Sequence, residues 1–111
     1  MMIDLEGVAI QVHETSISKG FWEPNNPDTH VIFYLKQLAM IHSEVSEVLE
    51  AVRKEKGEEA IVEEMADTLI RLLDLYEGMR RDGAVRTKLT DALMSKMNVN
   101  TDRPKMHGVL A

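Results

Sequence analysis

Apolar residues recur at helical spacing through two long stretches, about Thr29 to Lys56 and about Glu58 to Arg81, with Gly57 between them. Two amphipathic helices joined by so short a turn become antiparallel neighbours, because neither can hide an apolar stripe alone. In the first, the stripe is Val31, Tyr34, Leu35, Leu38, Ile41, Val45, Val48, Leu49 and Val52. Asp28 is placed to cap its start, Arg53, Lys54 and Lys56 complement the dipole at its end, and Gly57 reads as its stop. The second has a wider apolar arc, about 140° across, formed by Ile61, Val62, Met65, Ala66, Leu69, Leu72, Leu73 and Tyr76. One neighbour cannot cover that arc. We expect this helix to be central in the monomer and partly covered by a second subunit.

The flanks add two shorter helices. Leu5, Val8, Ala9, Val12 and Ser16 give helical spacing from Ile3 to about Lys19. The prolines and asparagines of Gly20 to Asp28 predict a loop. A fourth helix is expected over about Ala84 to Met97, followed by an extended or irregular tail from Asn98 to Ala111. The expected fold is all-α, one domain over residues 1–111, a four-helix bundle completed by oligomerisation.

Composition narrows the function. The 111 residues include no cysteine, so neither a disulfide framework nor a thiolate zinc site is available. The formal charge of −6 argues against a general binder of nucleic-acid backbones. No apolar run approaches the ~20 residues of a membrane span, and the N-terminus lacks the pattern of a secretory signal. These features predict a soluble cytoplasmic protein without membrane or nucleic-acid partners.

Acidic residues concentrate between positions 44 and 77, and two pairs stand out: Glu44 with Glu47, and Glu64 with Asp67. The i,i+3 spacing puts both members of a pair on one helix face. Both pairs lie at similar distances from the turn at Gly57, so the four carboxylates can converge. Such a set suits a hard cation, Mg²⁺ or Mn²⁺. Without a cation the carboxylates would repel and some would protonate. Pairs of this kind are also common on solvated faces. Glu44 and Glu47, however, fall among Phe33, Met40 and Ala51, a mixed face where acids would be half-buried. Asp67 sits in a more polar arc, where Arg71 can pair with it at i,i+4.

The tail supplies Lys96, Asn100, Arg103, Lys105 and His107, a cationic segment on an acidic chain. It reads either as a solvated tail or as a clamp for a phosphate anion. Trp22 reads either as a stacking surface for a base or as an apolar lid over the helix ends. His13, His30 and His42 have no ligand-spaced partner, read as surface or partly buried, and receive no role.

Taken in order, these segments resemble the all-α nucleoside triphosphate pyrophosphohydrolases of the MazG-like superfamily. Residues 41–53 are similar to the family's first motif helix and residues 63–74 to its second. Gly20-Phe21-Trp22 resembles its N-terminal loop, and Lys96, Asn100, Arg103-Pro104 and His107-Gly108 its closing segment. The resemblance implies a dimeric or tetrameric helical fold. It also implies Mg²⁺-dependent cleavage of a nucleoside triphosphate between the α- and β-phosphates, in nucleotide house-cleaning or pool control. It makes Glu44, Glu47, Glu64 and Asp67 the metal ligands and catalytic set. Lys96, Asn100 and Arg103 become contacts to phosphate or sugar, in their own or a partner's site, with Trp22 and His107 as candidates near the base. No base-reading motif separates a general enzyme from one for dUTP, dCTP or phosphoribosyl-ATP. The alternatives of another class are a non-catalytic helical nucleotide-binding or regulatory oligomer, and a plain oligomerisation module.

Overall fold

The computed structural model describes residues 4–22 and 30–103. The expected loop beyond Trp22, the Asp28 cap and the tail from Pro104 onward lie outside the described residues. Four helices follow in chain order: α1 (Leu5–Ser18), α2 (His30–Arg53), α3 (Glu58–Arg81) and α4 (Leu89–Asp102). No strand occurs among the described residues. None of the described helices is long and apolar enough to cross a membrane. As expected, α3 is central, packed along both α2 and α1, while α4 lies against α1.

The first three helices end alike. Phe21 N–H donates to the Ser16 carbonyl at 3.0 Å, Lys56 N–H to Ala51 at 3.0 Å, and Ala84 N–H to Met79 at 2.9 Å. This closing turn requires one residue in the left-handed region. Gly20 (φ 80°) and Gly83 (φ 81°) fill it without strain, and Glu55 (φ 51°) fills it after α2. From the sequence, Gly57 is the expected stop for this helix. Instead α2 closes through Glu55, and Gly57 (φ 99°) turns the chain into α3.

Phe33, Tyr34 and Leu75 form the core, with Trp22, Ile41 and Met79 packed on it. Only part of the expected α2 stripe packs: Tyr34 and Ile41 join the core, and most of the rest faces outward. Val31, Leu35, Val45, Leu49 and Val52 are each more than half exposed. The inner face carries Phe33, Glu44 and Ala51, spaced by eleven and then seven residues and therefore nearly superposed at 3.6 residues per turn. Both faces of α2 are apolar, and the mixed, acid-bearing one is turned toward α3. On α3, Val62, Met65 and Leu69 are likewise about half exposed.

The fourth helix departs from expectation at both ends, beginning at Leu89 and continuing through Asp102. The segment before it is held by Tyr76, whose hydroxyl donates to the Thr87 carbonyl (2.9 Å) and accepts from Leu89 N–H (3.1 Å). The Glu6 carboxylate of α1 then accepts from Thr90 N–H (3.2 Å) and the Thr90 hydroxyl (2.7 Å), capping α4 across the fold. Arg103 is extended (φ −73°, ψ 143°) and ends the helix, as the residue before a proline does.

Near the C-terminus of α3, the fully buried Glu77 carboxylate accepts from Arg80 Nε (2.8 Å) and Nη2 (2.7 Å) and from Arg81 Nε (2.8 Å). Arg81 Nη2 continues to Glu14 of α1 at 2.6 Å. The Arg80 hydrogen bonds, aided by Arg81, outweigh burial and hold the Glu77 carboxyl down at about 2, from an ordinary 4.5. The charged form is favoured in the fold. Its stabilisation is present above about pH 4.5 and is lost as pH falls toward 2. Glu77→Gln is expected to cost about 2 kcal/mol at neutral pH. It should also flatten the acid limb of stability between those pH values, as measured by urea unfolding. Parallel wild-type and variant curves through that window would contradict the assignment.

Candidate metal centre and adjoining cleft

The turn after Arg53 folds α3 back along α2 and sets Glu44 opposite the Glu64–Asp67 pair. One carboxylate oxygen from each of Glu44, Glu64 and Asp67 lies within 4.8 Å of the other two. Glu44 and Glu64 are half-buried and Asp67 is exposed. Glu47, one turn along α2, is exposed and stands outside this trio. The expected half-burial thus holds for Glu44 and fails for Glu47.

The Glu64 carboxyl is pushed above its ordinary value, first by desolvation and then by the negative charges of Asp67, Glu47, Glu44 and Glu63. Glu47 therefore acts on the trio through its field. An all-oxygen donor set with excess negative charge fits a hard divalent cation. Among the described residues, the one ion pair to the trio comes from Arg71, whose Nε donates to Glu44 Oε1 at 2.9 Å. The expected Arg71–Asp67 pair does not form, because the guanidinium reaches across to α2 instead of along its own helix.

A cleft of about 570 Å³ opens beside the trio, between α1, α2 and α3. Glu44, Asp67 and Arg71 border it, and Phe33 and Met40 form an apolar wall. Lys36 and Gln37 project from the same stretch of α2, and Phe21 and Lys19 stand at the end of α1. Lys36, Gln37 and Phe33 are not among the site residues expected from the sequence. The signal was present: positions 33, 37, 40 and 44 share one helix face, which leads to the first acid.

Asp74, one turn beyond Arg71, also borders the cleft. Its Oδ1 lies 2.7 Å from His13 Nδ1 and accepts from Trp22 Nε1 at 2.8 Å. His13 is buried, contrary to the surface or partial burial expected, and its ring meets the indole edge-on at 4.7 Å. Trp22 also packs on Phe33 and over Gly78, where any Cβ would collide with the indole. The indole closes the core and is not part of the cleft lining. Lys96, Asn100 and Arg103 lie on α4 or at its end, and none of them lines the cleft. His107 lies outside the described residues.

Fold and site together define an all-helical protein whose two antiparallel central helices present clustered carboxylates to an open cleft. The chain belongs to the family of the MazG nucleotide pyrophosphohydrolase domain, whose model matches residues 34–104. That stretch contains α2 from Tyr34 onward, all of α3 and α4, and all four acids of the two motifs. No curated protein and no solved structure matches the chain.

If the trio is a cation site, the repulsion that the Arg71–Glu44 pair leaves is relieved by a divalent cation or by losing a charge. Glu64→Gln is therefore expected to raise the melting temperature in EDTA by a few degrees. Mg²⁺ should raise that of the wild type by mass action and leave the variant nearly unmoved. Equal Mg²⁺ responses in the two proteins, by calorimetry, would count against it.

Proposed function

We infer that this protein is a divalent-cation-dependent nucleotide pyrophosphohydrolase, cleaving a nucleoside triphosphate between its α- and β-phosphates to give a monophosphate and pyrophosphate. The observation that carries this reading is the meeting of Glu44, Glu64 and Asp67 beside a cleft large enough for a nucleoside, which Glu44 and Asp67 border. Family membership supports it. Glu44, Glu64 and Asp67 hold the cation, Mg²⁺ or Mn²⁺. Bound there, it neutralises phosphate charge and makes water a better nucleophile. Glu47 lies outside the close trio and orients the attacking water. The nucleoside lies along Phe33 and Met40, with the Gln37 amide within the same cleft to meet a base edge. No covalent nucleophile is required.

The assembly proposed is a homodimer, or a tetramer built from it. Val45, Leu49 and Val52 of α2 and Val62, Met65 and Leu69 of α3 leave a broad apolar face uncovered. A shallow groove of about 490 Å³ runs through it, lined by Val45, Val48, Leu49, Val52, Met65 and Thr68. A second copy presenting the same face across a two-fold axis covers both. In addition, α4 has no buried residue, and Asn100 Oδ1 and Arg103 Nη1 are shielded from solvent without a partner among the described residues. In the assembly, Lys96, Asn100 and Arg103 serve phosphate or sugar in the neighbour's cleft, where His107 also contributes. Trp22 acts indirectly, by fixing Asp74 and Phe33.

Phosphorus NMR with Mg²⁺ and a panel of ribo- and deoxynucleoside triphosphates tests the reaction. Monophosphate and pyrophosphate are expected, with turnover reduced about 10²-fold or more in Glu47→Gln. Diphosphate with orthophosphate, or no cleavage at all, would refute the reading. Sedimentation tests the assembly. Leu49→Asp combined with Leu69→Asp is expected to give folded monomers, and an unchanged sedimentation coefficient would contradict the proposed face.

A further inference from the structure

Arg71 belongs to none of the motif pairs, yet it borders the cleft alongside Glu44 and Asp67. Its Nε donates to Glu44, its side chain is about one-third exposed (37%), and it lines the cleft beside Asp67. A guanidinium carries five N–H donors, and among the described residues only Nε is engaged. Glu64 and Asp67 form no ion pair among the described residues, so Arg71 is the trio's contacting cation. An incoming divalent cation must share or displace that charge to use Glu44. A displaced guanidinium would swing within the cleft, where its planar fork suits the oxygens of a phosphate.

The geometry points to Arg71 as a resident counter-ion that competes with the divalent cation for Glu44 and, once the cation is bound, turns to the phosphate chain in the cleft. This is a positioning role, and it rests on the cation-site reading given above. It makes cation and phosphate binding mutually reinforcing, since each ligand removes an obstacle to the other. It also accounts for a like-charge cluster that persists in a folded chain before any cation arrives.

The test is Mn²⁺ titration followed by electron paramagnetic resonance, without nucleotide, on wild type, Arg71→Met and Lys36→Met. Lys36 borders the same cleft and carries the same charge, but it has no contact with Glu44 among the described residues. Arg71→Met is expected to bind Mn²⁺ about fivefold more tightly or better, with Lys36→Met close to wild type. At saturating Mn²⁺, calorimetry with pyrophosphate should show affinity falling about tenfold in Arg71→Met. Arg71→Gln, which keeps a hydrogen-bond donor and loses the charge, replaces it if circular dichroism shows the first variant unfolded. Equal tightening in the Lys36 and Arg71 variants would mean a general field effect and would overturn the inference. So would unchanged or weaker Mn²⁺ binding in the Arg71 variants, or an unchanged pyrophosphate affinity. Those failures leave the cation site intact if wild type binds Mn²⁺. If no protein in the series binds Mn²⁺, both the inference and the reading beneath it fall.

Discussion

Mutual repulsion among Glu44, Glu64 and Asp67 is the interaction around which this structure is arranged. Left alone, three carboxylates this close would push α2 and α3 apart at the middle of their contact. The packing that opposes them lies on either side: Ala51 close to the turn, and Phe33, Tyr34 and Leu75 toward the other end. The strain shows in Glu64, whose ionised form is disfavoured by burial and by four negative neighbours. In the proposed reading, a cation bound among the three would relieve that repulsion.

The opposite end of α3 handles charge in the other way. Glu77 is more buried than any member of the trio, yet its carboxylate is matched by two guanidiniums and is held ionised. Tyr34 adds to this rigid end. Its hydroxyl donates to Asp82 at 2.6 Å, and burial, with that bond, pushes it up to about 12, so it stays a donor at every physiological pH. Between the two ends, Asp74 gathers His13 of α1 and Trp22 of the following turn onto α3. The result is a helix whose C-terminal half is rich in partners and whose N-terminal acids form no ion pair of their own among the described residues.

The parts legible in the sequence are those with local signals. The two long helices and the i,i+3 acid pairs follow from periodicity within single segments, and the short turn fixes their antiparallel pairing. Periodicity failed to say which of two apolar faces of α2 turns inward. Val45, Leu49 and Val52 make the more regular stripe, but the inner face is the one interrupted by Glu44. His13, Asp74, Lys36 and Arg71 acquire their surroundings only from contacts between helices, so spacing within one helix could not assign them. Arg71 shows this most plainly: an acid four residues away along its own helix was available, and it reaches the acid opposite. The start of α4 was missed for a similar reason, because Tyr76 and Glu6, both remote in the chain, decide where its first turn forms.

The most direct test of the account is anomalous diffraction at the manganese edge from crystals grown with Mn²⁺ and a non-hydrolysable nucleoside triphosphate. A strong peak is expected beside the carboxylates of Glu44, Glu64 and Asp67, with the phosphate chain next to it in the cleft. A peak elsewhere, or none at the trio while the nucleotide is bound, would contradict the claim that these carboxylates are held together to receive a cation.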